Sequence, residues 1–376
     1  MPIEISELNL ENAVSYHSNQ FPPEDLDYKL LMNQTLKATD AIARFDQMLK
    51  NMHNSEILLA PLRNQEAVIS SRMEGTISTM DEILKYEADY NEEATSSARS
   101  DIIETILYQR ALKSAQQAIE SGKPLSQGLM KSAHKQLLSF GRGASKKPGE
   151  YKSEQNYLAG KIKRNILFIP ISPEELQDGI DKLFKYINES DDPILIKTSI
   201  AHIEFEALHP FEDGNGRIGR MLITLMLWSA GVISQPHFYI SGYLEEHKDS
   251  YIDAMRNVSE NNSWTQWCIF FLKAVEEQSI RNLEIAESIK SLYEEMKVEF
   301  TDVLSSKYSL SALDYIFTNP IFRNNNFTKK SAIPNATASR FTRLLLEKEL
   351  LVLVEGSSGS RAALYAFEPL IKLVRV

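Results

Sequence analysis

Residues 209–220 read His-Pro-Phe-Glu-Asp-Gly-Asn-Gly-Arg-Ile-Gly-Arg. Within them Gly214–Gly219, GNGRIG, fits G-x-G-x-x-G letter for letter, which alone would point to a dinucleotide site. The surroundings exclude that reading. A dinucleotide fingerprint follows a strand, opens a helix, and has an acidic residue about 20 positions later for the ribose. Here a helical pattern precedes the glycines, with Ile196, Ile200, Ile203 and Ala207 at helical spacing. Pro210 ends that pattern. No Asp or Glu lies between Asp213 and Glu245, and the chain offers no series of parallel strands. The stretch therefore reads as a loop joining two helices, the second running from about Ile218 to Ala230 and closed by Gly231. The fold class that follows is all-α.

The loop carries the chemistry of a polyphosphate cradle. Gly214 and Gly216 flank Asn215, so the backbone can turn and present N–H groups as an anion nest. The loop feeds a helix N-terminus, where free N–H groups and the dipole favour phosphate. Arg217 lies near that end, and Arg220 follows three residues later on roughly the same face. Two arginines beside a nest suit bidentate phosphate contacts. Asp213 supplies a hard oxygen for Mg²⁺ between phosphate oxygens. His209, at the rim, is suited to act as a general base.

Around this centre the chain is mostly helical. Patterns run over 28–60 and 61–75, the latter stopped by Gly75 after Glu74. Thr79-Met-Asp-Glu82 opens the next helix as a capping box. NEEATSSARS, from Asn91, is a polar connection. Helical patterns return over 101–121 and 127–139, and Gly141, Gly143, Pro148 and Gly149 then break the chain. Residues 155–170 alternate apolar and polar around Gly160 and Lys161, which predicts a short hairpin. Pro193 opens the helix that enters the loop. Further helices are expected over 245–258 and 264–297. The last 77 residues give helices over 310–317, 329–332 and 335–349. Two β-rich runs follow around Gly356–Gly359, the order of a winged helix.

Bulk properties set the limits. The chain has 376 residues, suiting two or three domains. Its net charge of -10 argues against a surface built for nucleic acid. The charge is uneven: residues 300–376 hold ten Lys/Arg against six Asp/Glu. The lone Cys268 allows neither an internal disulfide nor a Cys-rich metal site, and it reads as a buried hydrophobe. The first residues carry no basic, then apolar, leader pattern. The apolar run from Met221 is too short to span a bilayer. A soluble, cytoplasmic protein with no membrane partner is the expectation.

HPFEDGNGRIGR resembles, position by position, the HPFx(D/E)GNGRxxR motif of the Fic (Fido) family, all-helical enzymes most of which transfer AMP from ATP to hydroxyl side chains of proteins. Pro148-Gly-Glu-Tyr-Lys152 resembles the family's approach to its flap, although the family commonly has Arg where this chain has Lys152. Glu66–Thr76 resembles its inhibitory (S/T)xxxE(G/N) motif, with Ser70, Glu74 and Gly75 in the fixed places. The resemblance implies a helical core with a small hairpin flap and a C-terminal winged helix. It implies a regulatory region over 1–110, a catalytic domain over 125–275 and a winged-helix domain over 300–376.

By the same resemblance, His209 would take the proton of a target Tyr, Ser or Thr, and Asp213 would hold Mg²⁺. ATP would lie on Gly214, Asn215, Gly216, Arg217, Ile218, Gly219 and Arg220, with Tyr243 and Glu246 near the nucleoside and His247 beside them. Leu158, Ala159, Gly160, Lys161 and Ile162 would form the flap strand that docks the target backbone. Glu74 would pair with Arg220 and obstruct ATP, giving a self-inhibited enzyme. The resemblance leaves open the reverse reaction, removal of AMP. It also leaves open self-association as a homodimer, and protein or DNA contact through residues 300–376, for which Lys329, Lys330, Arg340, Arg343 and Arg361 are the candidate cations.

Overall fold

The computed structural model describes residues 7–52, 55–89, 99–160, 162, 164–359 and 361–375. Fifteen helices are found among them: α1 (Tyr28–Lys50), α2 (Ser55–Met73), α3 (Met80–Asp89), α4 (Ser100–Glu120), α5 (Gln127–Leu137), α6 (Leu176–Glu189), α7 (Ile194–Leu208), α8 (Asn215–Ser229), α9 (Ser241–Glu246), α10 (Lys248–Asn261), α11 (Trp264–Leu304), α12 (Ser309–Thr318), α13 (Asn324–Lys330), α14 (Asn335–Glu347) and α15 (Glu368–Val374). Six short strands accompany them: β1 (Val14–Ser15), β2 (Leu158–Ala159), β3 (Ile166–Ile169), β4 (Ile321–Arg323), β5 (Val352–Glu355) and β6 (Leu364–Ala366). The chain divides into two compact units, residues 1–46 with 107–280, and residues 47–106 with 281–376.

The first unit is built on α7 and α8, which pack against each other, with α6 on α7 and α5 on α8. Twelve residues are buried in each of α7 and α8. Such helices have no solvated face, so they form the core itself rather than its cover. The hairpin is present as β2 antiparallel to β3. An addition that periodicity did not announce is β1, which pairs parallel to β3 with Val14 opposite Phe168. Val14, Phe168 and Ala207 are buried together beneath this small sheet.

In the second unit α2 packs on α3, α12 and α15, and α3 packs on β4. The last strands form an antiparallel sheet in the order β4-β6-β5. Arg323, 4% exposed in its side chain, bonds Asp89 and Glu355, and exposed Arg361 reaches the same two carboxylates.

Several boundaries differ from the sequence reading. No break falls at Pro61: α1 ends at Lys50 and α2 begins at Ser55, and Pro61 lies inside α2, at the cost of one helical hydrogen bond. The last β-rich region has three strands rather than two, because β4 and α13 use residues 321–330 that carry little periodicity. The capping box forms as expected: Thr79 Oγ1 accepts from the Glu82 N–H, and the Glu82 carboxylate accepts from the Thr79 N–H. Residues 91–98 of the polar connection, and Lys161 in the flap, lie outside the described residues.

Candidate active site

The loop 209–214 joins the two core helices, so the scaffold that positions it is rigid. His209 caps α7 with φ 46° and ψ 61°, a left-handed conformation, and its N–H bonds the Phe205 carbonyl. Phe211 is fully buried and stacks on His134 of α5 at 3.7 Å between ring centroids. Asn215 staples the loop to the helix it opens: its Oδ1 accepts from the Phe211 N–H at 2.8 Å, and its Nδ2 donates to the Phe211 carbonyl at 2.8 Å.

One expectation changes here. α8 begins at Asn215, three residues before the reading placed it, so Gly216 is helical rather than part of a loop nest. Gly214 alone is left-handed, with φ 78°. A Cβ there would sit 3.3 Å from Leu137, so both conformation and space favour glycine. The N–H groups of Asn215, Gly216 and Arg217 belong to the first turn of α8, which has no earlier carbonyl to bond. A helix end of this kind is suited to an anion. Gly219 serves packing instead: a Cβ there would clash with Glu206 Oε1.

Charge and burial mark the first turn of α8. Arg217 is 3% exposed, and its Nε and Nη1 are buried without a hydrogen-bond partner. Its Nη2 lies 3.7 Å from Asp213 Oδ1. A buried guanidinium with two unused donors is costly unless an anion completes it. Arg220, also 3% exposed, follows one turn on, and Ile218 is fully buried in the core beneath it. The Asp213 side chain is 41% exposed, and its Oδ1 accepts from the Gly214 N–H. Among the described residues no group of three or more His, Cys, Asp or Glu could hold a metal unaided. Were phosphate to bind at this helix end, the hard, partly exposed Asp213 carboxylate would suit Mg²⁺ beside it.

His134 carried no signal in the sequence, yet it fixes the loop. The Gly149 N–H donates to its Nδ1 at 2.8 Å, so Nε2 carries the proton and donates to the Asp213 carbonyl at 2.9 Å. Burial holds its pKa down at about 4. Unfolded, the same ring titrates near 6.5. The unfolded chain therefore binds more protons between these values, and stability present above pH ~6.5 is lost as pH falls toward 4. The effect is at most about 3 kcal/mol. His134→Gln is expected to shrink the drop in Tm between pH 7.5 and pH 5, measured by differential scanning calorimetry.

A cavity of about 160 Å³ opens between the flap and α10, lined by Leu158, Ala159, Ile203, Ile252, Met255 and Arg256 among others. Tyr243 and Glu246 do not line it. Tyr243 is 2% exposed and stacks on His247 at 4.1 Å, with its N–H bonded to Gln278. Gly160 closes the turn by bonding the Asn165 carbonyl, and Ile162 is 63% exposed at the tip.

In the second unit Glu74 occupies the C-cap of α2. The Thr76 N–H bonds the Ser71 carbonyl and the Gly75 N–H bonds that of Arg72, with Gly75 at φ 89°. This is a Schellman ending. Ser70, one turn back, is fully buried.

Residues 32–117 match the Fic/DOC family N-terminal region, and residues 124–227 match the Fic/DOC family itself. The chain belongs to the Fic/DOC family. Protein adenylyltransferase fic-1 of Caenorhabditis elegans is 27% identical over 27% of this chain and 26% of its own length. Probable protein adenylyltransferase aq_aa38 of Aquifex aeolicus is 31% identical over 25% of this chain and 27% of its own. The match thus spans about a quarter of these relatives' length. A crystal structure of a Fic family protein from Desulfovibrio desulfuricans G20 superposes with a TM-score of 0.58 at 17% identity, covering 92% of this chain and 98% of that one. The Fic fold therefore extends over nearly the whole chain, and the motif helices α7 and α8 are its core. No described helix of this Fic chain is long and apolar enough to cross a membrane.

Proposed function

We propose that this Fic chain is a protein adenylyltransferase that moves AMP from ATP to a hydroxyl side chain of a protein, itself included. The observation that carries the reading is Arg217, buried at the N-terminal turn of α8 with two donors unused. An α- or β-phosphate placed against the first N–H groups of α8 completes that guanidinium. Arg220, one turn further, serves the γ-phosphate. Mg²⁺ on Asp213 would neutralise charge between phosphate oxygens. The largely apolar cavity between β2 and α10 suits the flat face of the base.

In the transfer, the target oxygen attacks the α-phosphorus of ATP as its proton passes to His209. The bond from the α-phosphorus to the bridging oxygen breaks, and pyrophosphate leaves. Nδ1 of His209 is buried, which leaves Nε2 to meet the substrate. The exposed edge of β2 offers backbone groups to an extended target segment. The protein's contribution is alignment and charge neutralisation, as phosphoryl transfer requires.

Separate incubations with α-labelled and γ-labelled ATP test this. Label from the α position is expected on Tyr, Ser or Thr with a mass gain of one AMP, and none from the γ position. Label from the γ position would mean phosphate transfer and would overturn the reading. The Arg217 claim has its own measurement. Mg-ATP at 100 times its Kd should stabilise the protein by about 2.7 kcal/mol. Arg217→Met should lose most of that thermal shift while folding normally in the absence of nucleotide.

We read residues 300–376 as a winged-helix module, supported by the order of helices α12 to α14 and the antiparallel sheet β4-β6-β5. A DNA role has less support. Arg361 pairs with Asp89 and Glu355, Arg340 bonds the Leu304 carbonyl and Arg343 pairs with Glu347, which leaves Lys329 and Lys330 of the candidate cations. Full-length protein is expected to retain no duplex DNA in a gel shift at low salt, the condition that most favours binding.

A further inference from the structure

The turn His209-Pro210-Phe211 is tied at its ends, by the His209 N–H on the Phe205 carbonyl and by Asn215 on Phe211, and its middle needs further donors. His209 is left-handed without being glycine or asparagine, and Pro210 has no N–H to close the turn. Two residues from the approach to the flap supply what is missing. Lys152 Nζ donates to the Leu208 carbonyl at 3.1 Å, and the Lys152 backbone N–H donates to the Pro210 carbonyl at 2.8 Å. Asn156 Nδ2 donates to the Phe211 carbonyl at 3.0 Å and lies 3.4 Å from that of His209. The two side chains are joined, Lys152 Nζ donating to Asn156 Oδ1 at 2.8 Å. Four successive carbonyls, 208 to 211, are therefore held by one pair of residues. Lys152 is 4% exposed, so its donors have few rivals in water. Asn156 sits two residues before β2, the strand that would dock a target.

We infer that Lys152 and Asn156 are positioning residues that lock the backbone of His209 in its left-handed turn and fix its distance from the flap strand. The clamp acts on the base and on the target's place, and its bonds go to carbonyls 208–211 rather than to residues 214–220, which would take the triphosphate. Its loss should therefore lower kcat and raise KM for the protein target, with ATP affinity unchanged. Arg at 152 supplies N–H donors with the reach to both acceptors, so it should restore most of the rate that Met removes.

The inference rests on the adenylyltransferase reading, and the experiment separates the two. Lys152→Met, Lys152→Arg and Asn156→Ala are compared in a Glu74→Gly background for kcat, target KM and ATP affinity. In parallel the His209 ¹³Cα resonance reports its backbone conformation without any turnover. A kcat loss of roughly tenfold or more in Lys152→Met and Asn156→Ala is expected, at unchanged ATP affinity, with recovery in Lys152→Arg and a shifted His209 resonance in the two damaging variants. Full kcat, or an unmoved His209 resonance in Asn156→Ala, overturns the clamp. Equal losses of ATP affinity and kcat overturn it too. Should Lys152→Met fail to fold, the half-buried Asn156→Ala decides the matter by the same criteria. An unmodified Glu74→Gly protein that transfers no AMP overturns the adenylyltransferase reading instead, and the resonance still tests the clamp.

Discussion

Glu74→Gly is expected to raise the initial rate of self-labelling with α-labelled ATP by roughly 10- to 100-fold over wild type. The chain's resemblance to inhibited members of its family motivates this, and the local geometry makes the variant a clean one. Glu74 is the C-cap residue of α2, followed by a left-handed Gly75 in a Schellman ending. Neither backbone bond of that ending uses the Glu74 side chain. A carboxylate at the negative end of a helix dipole is disfavoured by a few tenths of a kcal/mol. Its removal relieves that cost and forfeits the pair that the resemblance implies, so Tm should stay level or fall slightly, and a gain in activity could not be ascribed to a more stable fold. The size follows from the contact it would break. An ion pair with Arg220 of the kind the resemblance implies would act as a coupling free energy, typically about 1–3 kcal/mol. Ser70→Ala, one turn earlier and fully buried, should give a smaller gain by loosening the helix. Arg220→Ala in the Glu74→Gly protein should return the rate below wild type, because the guanidinium proposed for the γ-phosphate would be gone. Equal labelling by wild type and Glu74→Gly would remove the brake from the account.

Much of this was legible in the residues before any coordinates. The candidate loop lies in one unbroken stretch, so Asp213, Gly214 and Arg217, the residues proposed to hold phosphate, stand together in the sequence. The capping box at Thr79 and the stop at Gly75 are local devices, encoded within about four residues of where they act. The start of α8 was misplaced because Gly214 and Gly216 look alike in sequence. Only the first has the positive φ that marks a cap, and the second tolerates the helix. The strands β1 and β4 were not legible for a different reason. Two- and three-residue strands are made by partners far along the chain, and so short a run shows no period. The same holds for His134, whose role depends on Gly149 and Asp213 meeting it from opposite sides. Lys152 was noticed only as a departure from the family's usual Arg. The burial of its ammonium against the motif's carbonyls depends on tertiary packing, and that burial pushes its pKa down to about 7.

Replacing His209 should produce the largest loss of any single change. General base catalysis typically contributes roughly 10²- to 10⁴-fold, so kcat should fall by about 10³. The choice of variant matters because of the backbone. His209 has φ 46°, where alanine is strained and asparagine is tolerated. His209→Ala therefore confounds lost chemistry with a relaxed turn, whereas His209→Asn keeps the turn and removes only the proton acceptor. Both should bind Mg-ATP within about twofold of wild type, since the phosphate contacts proposed for residues 213–220 remain. Both should be inactive in the Glu74→Gly background, which shows that release of the brake cannot substitute for the base. A His209→Asn protein retaining a tenth of the wild-type kcat at undiminished ATP affinity would mean that the proton leaves by another route, and His209 would lose its assigned role. Loss of ATP binding together with kcat would instead place His209 in the nucleotide site, with the turn it caps serving the phosphates rather than the target hydroxyl.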